Sequence, residues 1–290
     1  MKIGMTIPTM VPDLDRETLL AWMRKSDVGP FSTLAAGERV AYPNQEMLVT
    51  LAAASTVTER VRIALTVAVL PMHATILFAK QLATIDVLSG GRLVVGVGTG
   101  GREEDYRSVG ASFERRFARM EEQVALMRRV WAGEVIEGLT KPVGPRPVQA
   151  GGPEILAGVL TPKSIRRAAR WANGICGFEF GPDMAAVRTA FDLARSSWKE
   201  KGRDRPPRLV TSAWYALGPK ARDTLDDYVM RYLDFLGPDV ARAMAPACRL
   251  DSEQALRDAF RQLEDAGTDE FLLVPTSADL DQLDRVADLV

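Results

Sequence analysis

His73 is the only histidine in a chain of 290 residues, and this removes several chemistries at once. No pair of imidazoles is available for a zinc or iron centre, no His-x-His occurs, and no carboxylates cluster at the ends of the apolar runs, so no metal site is expected. A Ser-His-Asp triad would have to use His73, yet the sequence has no Gly-x-Ser-x-Gly elbow. Such sparse side-chain acid and base chemistry is what a chain shows when a bound organic cofactor carries the reaction.

Two segments could hold such a cofactor. Gly96, Gly98 and Gly101 follow an apolar run and match G-x-G-x-x-G. The match to a nucleotide fingerprint is poor, because the next strand run starts near Glu154 instead of closing a unit of roughly 30 residues, and Glu103, Glu104 and Asp105 would crowd a pyrophosphate. The glycines either turn the chain or keep backbone open for the approach of a flat ring. The second segment is Gly158-Val-Leu-Thr161-Pro162-Lys163-Ser164. Pro162 suits a first helical turn, Thr161 can cap it, and free N–H groups with the Thr161 and Ser164 hydroxyls and the Lys163 ammonium can take a phosphate. Thr-Pro-x-Ser also starts ordinary helices, in which case Lys163 is merely solvated.

These segments need a frame. Runs such as Arg62–Pro71 and Arg92–Gly98 are continuously apolar and rich in β-branched residues, as in parallel strands covered on both faces. Period reading gives strands near 2–7, 31–36, 61–70, 92–98, 154–160, 174–179, 208–217 and 270–275. Helices fall near 15–26, 44–58, 74–88, 114–132, 162–172, 183–201, 219–235 and 252–265, with a last one after Asp279. The clearest helix carries Phe117, Met120, Val124, Met127 and Trp131 on one face. Eight alternations at this length predict a closed (β/α)₈ TIM barrel, a fold of about 250 residues whose sites lie just past the strand ends. The breaks at 133–153 and after Gly237-Pro238 exceed the usual median of about 4 to 6 residues and read as rim structure.

Composition bounds the rest. A hydrophobic fraction of 47% without a linker-like stretch predicts one domain over residues 1–290. The net charge of -1, with acids and bases interspersed, gives no footprint for nucleic acid or a membrane surface. No apolar run reaches the roughly 18 residues of a membrane span. Only two cysteines occur, Cys176 and Cys248, and no signal-peptide core precedes Pro8, so a cytoplasmic location is expected. Cys176 reads as a small buried hydrophobe, and strand alternation lets only one of Trp214 and Tyr215 face inward.

Several blocks together carry a family resemblance. Val69-Leu-Pro-Met-His73, Asp86-Val-Leu-Ser-Gly-Gly-Arg92, Gly96-Val-Gly-Thr-Gly100, Glu104-Asp-Tyr-Arg-Ser-Val-Gly110, Pro147-Val-Gln149 and Ser164–Gly174 resemble the bacterial luciferase-like family of flavin-dependent oxidoreductases. The resemblance covers most of the chain. It implies a luciferase-like TIM barrel that binds FMN, or alternatively coenzyme F420, with a small-molecule substrate stacked over the ring. The family commonly holds the phosphate at the helix after strand five, here Thr161, Lys163 and Ser164. It further implies a non-prolyl cis peptide in strand three, which falls at Thr66-Val67. The remaining cofactor contacts are assigned to Thr6, Gly98, Thr99 and Gly158. Relatives often end strand two in Asp-His, where this chain has Glu38-Arg39. Glu38 positions substrate, accepts a proton, or merely pairs with Arg39 or another surface base. His73 either touches substrate or ring, where it could shuttle protons, or caps a helix at the surface.

The implied activity is oxidation of a small organic substrate with reduced FMN. Hydride transfer with F420 and flavin binding without turnover are the alternatives, and a homodimer through helices two and three is common in the family. A phosphate-binding isomerase or aldolase barrel would need an inward lysine or glutamate on a strand, and no strand core offers an obvious lysine.

Overall fold

The computed structural model describes residues 1–181 and 183–290. Among the described residues, eight strands close in sequence order into a parallel barrel. They are β1 (Lys2–Thr6), β2 (Thr33–Ala36), β3 (Arg62–Val69), β4 (Leu93–Gly98), β5 (Glu154–Gly158), β6 (Gly174–Cys176), β7 (Arg208–Tyr215) and β8 (Glu270–Pro275). β8 closes on β1 through the register Ile3↔Phe271 and Met5↔Leu273. The (β/α)₈ barrel predicted from the sequence is therefore the fold observed.

Helices cover the outside. They are α1 (Arg16–Val28), α2 (Met47–Val57), α3 (Thr75–Leu88), α4 (Glu103–Ser108), α5 (Arg116–Trp131), α6 (Pro162–Ala168), α7 (Met184–Glu200), α8 (Ala221–Tyr232), α9 (Pro238–Met244), α10 (Glu253–Asp265) and α11 (Asp281–Ala287). Strand residues of odd number on β1, β4 and β7, such as Met5, Val95 and Tyr215, join the large core beneath these helices. The alternate set, Ala35, Ala64, Val94, Leu156, Cys176, Val210 and Leu272, fills the barrel interior. Cys176 is thus a core residue, and burial pushes its thiol up to about 12.

The main departures from the expected elements are at β6, α6, α4 and α9. β6 stops at Cys176, although the Gly177 N–H still donates to the Val210 carbonyl of β7 and Glu179 bridges Ala213. α6 ends at Ala168, where Arg170 and Trp171 tighten to i→i−3 hydrogen bonds. α4 and α9 are short helices within segments that the sequence presents as connections. On α5, Met120, Val124, Met127 and Trp131 are buried as the stripe predicts, whereas Phe117 is exposed.

The Asp86–Arg92 block works at the end where the strands begin. Asp86, fully buried, accepts hydrogen bonds from Gln149 through its N–H at 3.1 Å and its side-chain amide at 2.7 Å. Arg92 donates to the carbonyls of Ser55, Thr58 and Val61, tying the end of α2 to the start of β3. This block is therefore architectural, on the face opposite the site.

Candidate active site

At the finishing end of the barrel, β3 changes register against β4 between Leu65 and Ala68, and the Thr66-Val67 peptide is cis. Glycines make room for this segment. A Cβ at Gly96 would lie 2.3 Å from the Leu65 carbonyl oxygen, and at Gly98 or Gly158 it would press on the Val67 side chain at 3.0 and 3.2 Å. A Cβ at Gly37 would meet the Thr66 oxygen at 3.1 Å. The glycines of β4 and β5 thus make room for Val67. Val67 itself supplies an apolar shelf there.

Glu38 and His73 meet beside this shelf. Glu38 accepts the Val69 N–H at Oε2 (2.6 Å), and its Oε1 lies 2.8 Å from His73 Nε2. The Glu38 side chain is only 6% exposed, whereas the His73 ring is partly exposed. The Glu38 partner is the imidazole, and Arg39 turns elsewhere. His73 is placed by a 3₁₀ turn over Leu70–Met72, and its ring stacks on Phe78 at 4.2 Å. Gln123 of α5 holds the His73 carbonyl at 2.9 Å. A cavity of about 470 Å³ opens beside His73, between Met72, Val109, Ala111 and Gln123. A carboxylate holding Nε2–H leaves Nδ1 of the neutral ring as the proton acceptor.

The other expected residues lie around the same end. Thr6 finishes β1, and its buried Oγ1 has no hydrogen-bond partner. Thr99 follows β4, and its carbonyl accepts from the Tyr106 hydroxyl at 2.6 Å. Burial pushes that phenol up to about 12, so it stays a hydrogen-bond donor. Thr161 and Ser164 form a capping box at the exposed start of α6, with the Ser164 hydroxyl donating to the Thr161 carbonyl at 2.7 Å. Lys163 is exposed, and no carboxylate lies within 4 Å of it among the described residues. The orphaned Thr6 hydroxyl, the glycine-seated shelf and the α6 turn past Gly158 suit a flat ring with a phosphate tail.

An aromatic cover across the mouth was not legible beforehand. Trp214 faces inward, with Phe178, Tyr232, Phe180 and Tyr228 at 4.7, 5.1, 5.6 and 5.7 Å. Tyr215 points outward into the main core, as alternation requires. The Phe178-x-Phe180 pair and the i, i+4 spacing of Tyr228 and Tyr232 were the available signals. Among the described residues, no three His, Cys, Asp or Glu side chains group as a metal site, and no helix is long and apolar enough to cross a membrane.

An uncharacterized protein of Mycobacterium tuberculosis is 33% identical over 169 residues, covering 56% of this chain and 59% of that protein. The chain thus spans about three fifths of that relative's length. An F420-dependent secondary alcohol dehydrogenase bound to an F420-acetone adduct superposes with TM-score 0.81 at 17% identity, covering 100% of this chain and 98% of that one. The oxygenating constituent of 3,6-diketocamphane monooxygenase from Pseudomonas putida, bound to FMN, gives TM-score 0.74 at 16% identity, covering 100% and 97%. Likeness at these identities speaks for the fold alone. The model of the luciferase-like monooxygenase family matches residues 1–289, and the chain belongs to that family.

Proposed function

We propose that residues 1–290 act as one unit, a cytoplasmic flavin-dependent oxidoreductase that oxidises a small organic substrate with reduced FMN. The observation that carries this reading is the Glu38–His73 pair, anchored by Val69 two residues beyond the Val67 shelf. Reduced FMN, when bound, would supply the electrons that activate oxygen for the oxidation. Val67 would support one face of the ring, and the Thr6 hydroxyl and the Thr161–Ser164 turn would hold its polar groups. Glu38 fixes the His73 tautomer through Nε2, so that Nδ1 can take a proton from substrate while the carboxylate steadies the imidazolium. The cover around Trp214 keeps water from the mouth. A second reading, hydride transfer with F420, is favoured by the Pro162-Lys163 step, which resembles F420-using relatives.

Titration of the protein with FMN, FAD, riboflavin and F420, followed by fluorescence, tests the cofactor. Tight FMN binding, with riboflavin weaker, is expected; tight binding of F420 alone would select the second reading, and binding of none would reject both. His73→Asn and Glu38→Gln should keep cofactor affinity while lowering turnover by about 10²- to 10⁴-fold. Unchanged turnover in both variants would remove the pair from the mechanism.

A further inference from the structure

The mouth contains a cationic feature that the proton-transfer pair does not use. Arg39 leaves β2 directly after Glu38, and Arg102 precedes α4 after β4. Their guanidinium carbons lie 5.2 and 5.1 Å from the Tyr232 ring and 5.7 and 4.4 Å from the Phe235 ring, so the two cations flank the same pair of aromatic faces. Arg39 also covers Tyr42 at 4.0 Å. Tyr232 in turn packs on Trp214, which connects this cage to the centre of the mouth.

The charges do not balance. Arg39 is only 7% exposed, yet its one hydrogen bond is to the Tyr232 carbonyl at 3.2 Å, and no carboxylate lies within 4 Å of it among the described residues. Asp105 is the nearby acid. It sits 3.8 Å from Arg102 and is already occupied by the N–H groups of Val40 (3.1 Å) and Ala41 (2.7 Å). Three buried polar atoms around the cage have no partner: Arg39 Nε, Arg102 Nε and the Tyr42 hydroxyl. Burial and the neighbouring Arg102 charge lower the Arg39 pKa, against the smaller opposing effect of Asp105. Buried charges and donors are ordinarily paired, and a guanidinium with free N–H groups is the side chain best suited to a carboxylate. Stacking on aromatic rings gives partial compensation only.

We infer that Arg39 and Arg102 hold the carboxylate of the substrate, so that the compound oxidised at this mouth is an organic acid whose apolar body lies along Tyr42, Tyr232 and Trp214. The inference rests on the flavin oxidoreductase reading and gives its substrate class.

Benzoate and its neutral isostere benzamide are the probes, titrated into the full-length protein with and without FMN and followed by Trp fluorescence and calorimetry. Benzoate should bind at least about 10-fold more tightly than benzamide, as expected for hydrogen bonds to a charged group. Arg102→Met should bring the two within about twofold of each other, and Arg39→Lys should recover only part of what Arg39→Met loses. If Arg39→Met does not fold, Arg102→Met, at the more exposed position, carries the test. Equal affinity for the two probes, or a preference untouched by Arg102→Met, would overturn the inference. So would a variant that loses the preference for FMN over riboflavin while still favouring benzoate, since the pair would then serve the cofactor phosphate. Benzoate selectivity without binding of FMN or F420 would keep the acid site and remove the flavin reading, so the two failures are distinguishable.

Discussion

At the residue scale, the glycines at 96, 98 and 101 separate two explanations of one motif. A nucleotide fingerprint needs all three for its turn around a pyrophosphate. In this barrel Gly96 and Gly98 are packed against Leu65 and Val67, while a Cβ at Gly101 would meet nothing within 4 Å. Gly96→Ala should therefore destabilise the protein by about 1 to 3 kcal/mol through overpacking. Gly101→Ala should stay within about 0.5 kcal/mol, as unobstructed surface changes do. Urea unfolding of both variants checks the contrast, and equal losses would contradict the seating of Val67. The glycine spacing was visible in the sequence, but its partner was not, because Val67 lies on another strand. The same holds for Glu38 and His73, which are 35 residues apart and meet only because β2 and β3 pair with Ala36 beside Leu65. Composition singled out His73, and no one-dimensional pattern could have given it its carboxylate.

At the element scale, the opposite end of the barrel is closed by charge. Glu270, 2% exposed, accepts from Thr33 at 2.5 Å and from Ser32 and Arg208, and Arg208 also reaches Glu154, which pairs with Arg62 at 2.9 Å. Each residue begins a strand or lies just before one, so the network joins the starts of β2, β3, β5, β7 and β8. Removing Arg208 leaves the buried Glu270 without a cation and should cost about 3 to 5 kcal/mol in Arg208→Met, whereas Glu270→Met leaves Arg208 paired with Glu154 and should cost less. The double variant should lose clearly less than the two single losses combined; additive losses in chemical denaturation would contradict the pairing. Glu179, beyond β6, gives a pH test. Burial raises its pKa, against the Thr211 hydrogen bond, and Asp183 raises it further. The folded state therefore binds this proton more readily than the unfolded chain. The contribution to stability is full below the unfolded value of about 4.3 and is lost as pH rises through the raised folded value. Glu179→Gln should be more stable than the parent at neutral pH, with the gain fading on acidification; a pH-independent difference in urea midpoints would reject the assignment. Strands and long helices were readable from period because buried positions repeat over several turns. α4 and α9 offer too few turns for a stripe, and each has only one or two buried residues.

At the scale of the whole molecule, a closed barrel has no free sheet edge, so contact between copies must use helix faces. α2 is the most apolar candidate: its sequence Met47–Val57 contains no charged residue, although one side of any outer helix would ordinarily face water. Val49 on α2 is 71% exposed, and the adjacent α3 exposes Leu77 (57%) and Leu88 (47%). α2 and α3 pack side by side, so these exposed apolar side chains lie on neighbouring helices. We propose a homodimer seam on these two helices, where a two-fold axis would bury the same residues of both copies against each other. The expected outcome is a particle of twice the 31.8 kDa chain mass in sedimentation, with a melting temperature that rises with protein concentration. Val49→Glu combined with Leu77→Glu should give a folded monomer with unchanged far-UV circular dichroism, because neither side chain supports the core. Since α2 follows β2 and the Glu38 segment, and α3 follows β3, which carries Val67, the monomer should also show whether the seam steadies the site. FMN affinity equal to that of the dimer would make the interface purely architectural, whereas a monomeric parent protein at all concentrations would remove the dimer itself.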